Sequence, residues 1–254
     1  RLWTVPAIAA AMTLGALTAP PAFAAGQTFT VTSQAMCGGA GTFQQAVKDA
    51  NASPGKDTIV FTAGLTAGTS SCASIFSPEE FLIVATESVD IVGNGANIVG
   101  PMYWIDPSGR VNNFQQCPFH TAGANWLQKA KGVMAIGEIG QDNSAVEVSM
   151  SGLSFDKLPE LFQVAEKASF TLSDASATDT MSFNERCQRG AIEGLTGANI
   201  TLRNVQITES YPPGMSTAER SSDALIRGGG GNLVLDRVFL GNNWQSQAVA
   251  WGKG

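Results

Sequence analysis

The chain has 254 residues, 28 of them glycine, with 15 Lys and Arg against 21 Asp and Glu, giving a net charge of −6. An acidic chain without a basic stripe is excluded as a nucleic-acid binder, because phosphate recognition needs clustered Lys and Arg. The same balance disfavours anionic polysaccharide unless bound Ca²⁺ inverts the local charge, and the length suits one sizeable β domain with a continuous core.

Residues 2–17, LWTVPAIAAAMTLGAL, carry no charge and lead into Pro20-Pro21 and Ala22-Phe23-Ala24. An apolar run ending at an A-x-A site predicts a signal peptide over 1–24, cleaved after Ala24. The run falls short of the ~20 residues of a membrane span. Loss of Arg1 with it takes the charge to 14 − 21 = −7. No later segment is apolar enough to span a bilayer. The expectation is an exported protein, extracellular or at the cell surface, with outer-membrane association included.

Residues 25–80 form the next unit, an N-terminal cap. Phe43, Ala46, Val47 and Ala50 fall at i, i+3, i+4 and i+7, which predicts a helix over about 42–51 with one apolar face. Thr42 is placed to cap it, and Gln45 three residues on matches a capping box. Asn51 and Pro54-Gly55 are read as its stop. DTIVF, 57–61, is then a short buried strand, the first of the chain.

Cys37, a helix ending Asp49-Ala50-Asn51, and PGKDTIVF together resemble the N-terminal cap of exported bacterial right-handed parallel β-helix proteins with the pectin-lyase-like fold. Their usual pattern is C-S-L-R-E-A-I-x-x-A-N, a few residues, then D-x-I-x-F. Cys37, Ala46-Val47, Ala50-Asn51 and Asp57-Thr58-Ile59-Val60-Phe61 match it, and GGAGTFQQ stands where that family has Ser-Leu-Arg-Glu. The resemblance implies an all-β, right-handed parallel β-helix, or solenoid, with a short amphipathic capping helix. A solenoid ends in exposed core and an unpaired strand edge. The helix is therefore read as a lid over the first coil, with no catalytic role.

Residues 81–254 read as the coils, with a long insertion at 103–131. GANITLRNVQITES, 197–210, aligns with GGNLVLDRVFLGNN, 230–243. Ile200, Leu202, Val205 and Ile207 then match Leu233, Leu235, Val238 and Leu240. KASFTLSDASAT aligns on Phe170 and Leu172, SAVEVSMSGLSF on Val148, Met150, Leu153 and Phe155, and SVDIVGNGANIVG is an earlier coil. Each coil opens with its own apolar strand: FLIVA 81–85, GVMAI 132–136, ELFQV 160–164, GAIEG 190–194, ALIRG 224–228 and AVAWG 248–252. The uneven repeat suits a β-solenoid. The alternative is an antiparallel sandwich. The chain stops inside the coil opened by AVAWG, so the solenoid is read as C-terminally truncated. Arg203 aligns with Asp236, a surface ion pair if strands stack in parallel, about 4.8 Å apart.

Cys37, Cys72, Cys117 and Cys187 lie far apart with no CxxC, which argues against a zinc site. Four cysteines allow three pairings. Cys37–Cys72 and Cys117–Cys187 are the expected bridges, with buried free thiols as the alternative. Candidate ligand-binding residues are Tyr103, Trp104, Phe119 and Trp126 in the long insertion, whose faces suit sugar rings or a local mini-core. Loops 174–189 and 209–223 follow equivalent strands and are expected to form a groove wall with that insertion. His120 has no G-x-S-x-G elbow beside it and reads as a plain loop residue. GGGG, 228–231, reads as a tight corner, not a phosphate loop. The catalytic candidates are Asp223 and Arg227, flanking the start of one coil, with Asp174 and Asp179 in a neighbouring loop.

Two functions follow. The first is a non-catalytic secreted or surface protein, adhesin-like, contacting glycans or surface proteins. The alternative, implied by the resemblance, is a polysaccharide lyase or glycoside hydrolase. No metal or other cofactor is read from the sequence, and Ca²⁺ enters only under the lyase alternative.

Overall fold

The computed structural model describes residues 26–69, 72, 81–100, 132–158, 161–178, 180, 191–208, 224–241 and 247–252. One helix and fourteen strands are described. In chain order they are β1 (Thr28–Val31), α1 (Phe43–Ala52), β2 (Asp57–Phe61), β3 (Thr66–Gly68), β4 (Phe81–Ala85), β5 (Val89–Val99), β6 (Gly132–Ile136) and β7 (Glu147–Asp156). They continue with β8 (Phe162–Val164), β9 (Ser169–Thr178), β10 (Ile192–Gly194), β11 (Asn199–Thr208), β12 (Ala224–Gly229), β13 (Leu233–Gly241) and β14 (Gln247–Gly252).

The strands form two sheets. The long-stranded sheet runs β1-β2-β5-β7-β9-β11-β13, with β3 also on β5, and the short-stranded sheet runs β4-β6-β8-β10-β12-β14. From β4 onward the chain alternates between them, strand by strand. Every described pairing is parallel. This overturns the antiparallel sandwich. The aligned residues lie in register: Ile200 against Leu233, Leu202 against Leu235, Val205 against Val238 and Ile207 against Leu240. Phe170 and Leu172 continue the columns beneath Ile200 and Leu202, and Val148 and Met150 lie one strand further.

These columns make one core shared by both sheets. Phe162 of the short-stranded sheet meets Phe170 at 4.7 Å and Phe155 at 5.4 Å between ring centroids, both from the other sheet. The short-stranded sheet is buried on both faces at β6 and β8, as parallel sheets generally are. The long-stranded sheet instead turns a polar outer face, rich in Ser, Thr and Asn, away from the core.

Each long strand from β5 to β13 changes direction at a residue in the left-handed region, and β5 adds a second, Gly95, at φ 73°. Asn94, Gly152, Asp174, Asn204 and Arg237 have φ of 51°, 67°, 50°, 52° and 54°. In β11 the burial order runs buried at Leu202, exposed at Arg203 and Asn204, then buried again at Val205. Two successive outward residues reset the alternation, so Leu and Val point inward on both limbs of the corner. The corner residues bond along the stack. Asn204 Nδ2 donates to Asp174 Oδ1 at 2.7 Å, and Asn94 Nδ2 donates to the Phe61 carbonyl at 2.9 Å. Asp174 is thus a corner inside β9, not a loop residue, because Asx side chains tolerate the left-handed region without ending a strand.

The helix forms as its periodicity predicts, burying Phe43, Ala46, Val47 and Ala50. Phe43 packs on Phe61 at 5.0 Å between centroids, so the apolar face lies over the end of β2. Three details of the cap differ from expectation. β1 precedes the helix and pairs with β2, so DTIVF is not the first strand. The capping box is half made: Thr42 Oγ1 accepts from the Gln45 N–H at 3.2 Å, while the Gln45 side chain donates to Asp49 instead. Asn51 lies inside the helix, and its amide is spent elsewhere, as described below. Asp57 ties the unit together. It is buried, and its Oδ1 accepts from the Gln27 N–H at 2.6 Å and the Ser53 hydroxyl at 3.4 Å, leaving Oδ2 without a partner. Cys37 and Cys72 are bridged, with Cα atoms 4.7 Å apart.

The expected surface pair also changes. Arg203 and Asp236 are register partners, but Asp236 Oδ1 lies 3.5 Å from Nε of Arg237, its chain neighbour. Cys117, Cys187, His120, the signal segment 1–24, the insertion 103–131, residues 179 and 181–189 of loop 174–189, and the whole of loop 209–223 lie outside the described residues.

Candidate functional site

Strand alternation decides which side chains of the short-stranded sheet leave the core. Phe162 faces the other sheet, so Gln163 points the opposite way. Register then sets Gln163 of β8, Glu193 of β10 and Arg227 of β12 in one outward row. Gln163 Nε2 donates to Glu193 Oε2 at 3.1 Å, and Arg227 Nε lies 3.6 Å from Glu193 Oε1. The carboxylate therefore has a donor on each side along the stack. Gln163 is buried, whereas the Glu193 and Arg227 side chains are 13% and 31% exposed, so exposure rises along the row toward the guanidinium. Ala135 and Ala250 continue it above and below.

A row of amide, carboxylate and guanidinium offers planar donors and acceptors at the strand spacing. Sugar hydroxyls, which donate and accept at once, match such a set. Among the described residues no group of three or more His, Cys, Asp or Glu gathers as a metal site. A second polar cluster sits at the turn between β6 and β7. There Asn143 Oδ1 accepts from the Glu138 N–H and its Nδ2 donates to the Glu138 carbonyl, both at 2.9 Å. The Ser144 hydroxyl and amide, with Lys167 beside them, hold the Asp142 carboxyl below its usual range. Its charged form is the one held, so that contribution is present above the ordinary carboxylate range and lost as pH falls through the lowered value. Asp142 is exposed, and we read this cluster as turn structure.

Of the residues singled out from sequence, Arg227 belongs to the row, in the body of β12. Asp174 is on the other sheet, bonded to Asn204. The two are not brought together, because alternate strands feed different sheets. Asp223, Asp179, Tyr103, Trp104, Phe119 and Trp126 lie outside the described residues. Gln163 and Glu193 went unremarked in the sequence. The signal for them is the alignment of LFQV, AIEG and LIRG, which brings Gln163, Glu193 and Arg227 into one position.

No family model, no curated protein and no solved structure matches the chain. No helix among the described residues is long and apolar enough to cross a membrane.

Proposed function

We propose that the chain is part of an exported right-handed parallel β-helix protein of the pectin-lyase-like class, which contacts glycans at a surface without cleaving them. The observation carrying this reading is the strand-by-strand alternation between two parallel sheets, with inward residues in register and α1 across one end. The Cys37–Cys72 bridge supports an oxidising compartment, in keeping with the signal peptide read in 1–24. Arg227 and Glu193 are the partly exposed polar groups for sugar hydroxyls, with Gln163 holding the carboxylate from behind, and the aromatic residues of the 103–131 insertion are the candidates for the ring faces.

A second reading, a polysaccharide lyase or glycoside hydrolase, is kept for one reason. Glu193 and Arg227 adjoin on one sheet face, and a carboxylate beside a cation is a common start for acid/base chemistry. Retention of the chain on immobilised neutral and acidic polysaccharides, with product analysis on the same panel, tests both. Retention without product is expected, reduced about tenfold by Arg227→Ala, the scale of one lost charge-assisted hydrogen bond. New unsaturated or reducing ends would establish the enzyme reading, and no retention on any glycan would end the first.

A further inference from the structure

The chain contains one Asn-Gly pair, Asn94-Gly95, and the fold sets it at the corner of β5. Both residues are exposed, between the buried Gly93 and Ala96. Both are left-handed, with φ of 51° and 73°. The pair also lies outside the ladders. Pairing of β5 with β2 ends at Val92, pairing with β3 starts at Asn97, and pairing with β7 skips from Val92 to Ala96. Three residues of β5 there face the single Gly152 of β7, and such a bulge leaves its extra residues without strand partners. Two bonds hold the corner. Asn94 Nδ2 donates to the Phe61 carbonyl at 2.9 Å, and the Asn94 carbonyl accepts from the Gly64 N–H at 3.2 Å.

The backbone nitrogen that follows an asparagine is a nucleophile placed one ring closure from the side-chain carbonyl carbon. A Cβ on that following residue hinders the approach, and glycine removes the hindrance while leaving the backbone free to turn. A Cβ at position 95 would meet nothing within 4 Å, so packing does not demand the glycine. Other described asparagines lack one condition or the other. Asn204, at the corner of β11, precedes the buried, β-branched Val205. Asn143 is itself buried, and its amide is bonded to Glu138, Gln141 and Glu166.

We propose that Asn94-Gly95 is a self-modifying site, where the asparagine deamidates through a succinimide and so weakens the junction of β2 with β5. The Gly95 nitrogen forms a bond to Asn94 Cγ and the Cγ–Nδ2 bond breaks. Nδ2 leaves as ammonia, with the proton that the Gly95 nitrogen gives up. Water then opens the ring. Its attack at Cγ gives aspartate, and its attack at the main-chain carbonyl gives isoaspartate, whose backbone runs through Cγ and is one carbon longer. Aspartate sets a carboxylate oxygen against the Phe61 carbonyl, acceptor against acceptor. The corner of β9 shows the contrast, because the Asp174 carboxylate meets a donor there, Asn204 Nδ2. Phe61 closes β2 and packs on Phe43 of α1, so the lost bond is one that fastens the cap to the stack.

Ageing of the whole chain in warm, mildly alkaline buffer, followed by peptide mapping and isoaspartyl methyltransferase labelling, tests this. Residue 94 is expected to convert before any other asparagine, to a mixture of isoaspartate and aspartate, while circular dichroism shows the chain still folded. Gly95→Ala should slow the conversion severalfold. Asn94→Gly, which keeps a residue at ease with positive φ, should remove the label at this position. Asn94→Asp should unfold at lower denaturant than the unaltered chain. Asn94 left intact while another asparagine converts, conversion only in denaturant, or aspartate without isoaspartate would overturn the site. An Asn94→Asp chain as stable as the unaltered one would overturn its effect on the junction.

Discussion

At the residue scale the cap depends on one amide. Asn51 Nδ2 donates to the Val84 carbonyl at 2.8 Å, and its Oδ1 accepts from the Thr86 N–H at 2.9 Å. Those two groups flank Ala85, whose own carbonyl accepts from Gly137 on the other side of β4. The side chain therefore stands in for the backbone of a missing parallel neighbour. Asn51→Ala leaves a donor and an acceptor of the edge strand unpaired, and is expected to cost about 1–3 kcal/mol. Chemical denaturation reads the loss, and faster exchange of the Thr86 amide locates it. Asn51→Asp keeps the acceptor, so Thr86 should stay protected while stability still falls. Unchanged Thr86 exchange in Asn51→Ala would contradict this role. In the sequence Asn51 reads as a helix stop because Asn favours helix ends. Its real partners lie more than thirty residues downstream, beyond any local pattern. The capping box failed for a similar reason: Gln45 found Asp49 closer to hand than the Thr42 amide.

At the element scale both the long and the short strands were legible, but which face each short-strand residue takes was not. Ten-residue strands such as β9 and β11 repeat an apolar pattern long enough to align, and stacking sterics hold like residues in columns. β8 and β10 have three residues each and are buried or half-buried on both faces, so no period is visible in them. The row of Gln163, Glu193 and Arg227 stayed hidden for that reason. The corners were hidden by their variety, since Asn, Gly, Asp and Arg fill the same position.

Glycine in the short strands has a specific cause. A Cβ on Gly194 would sit 2.7 Å from the Trp251 ring and 3.1 Å from Ile200 Cδ1, and one on Gly228 would meet the Gly194 carbonyl oxygen at 2.4 Å and then the same ring at 2.7 Å. The indole of β14 thus occupies the space that a side chain on Gly194 would fill, and its Nε1–H donates to the Gly231 carbonyl at 3.0 Å. Gly194→Val should therefore displace the ring and cost about 1–3 kcal/mol. The Trp251 indole N–H resonance should lose its hydrogen-bonded shift. In a Trp251→Ala background the same substitution should cost clearly less, and equal costs in the two backgrounds would show that the ring is not what Gly194 accommodates.

At the scale of the whole molecule, strands hydrogen-bond only to their neighbours along the stack, so stability should vary with position rather than be uniform. One end carries three fastenings: the Asn51 clamp, the buried Asp57 and the Cys37–Cys72 bridge. That bridge links residues 35 apart, and a loop of that size contributes about 3–4 kcal/mol in the chain-entropy account. Native-state hydrogen exchange should therefore find the slowest amides in β7, β9 and β11, flanked on both sides. Reducing the disulfide should speed exchange in β1, β2 and α1 while leaving β11 nearly unchanged, because the perturbation must pass through β5, β7 and β9 to reach it. Equal acceleration everywhere on reduction would mean that the stack opens as one cooperative unit, and that its two ends are coupled through the shared core more strongly than neighbour-to-neighbour pairing allows.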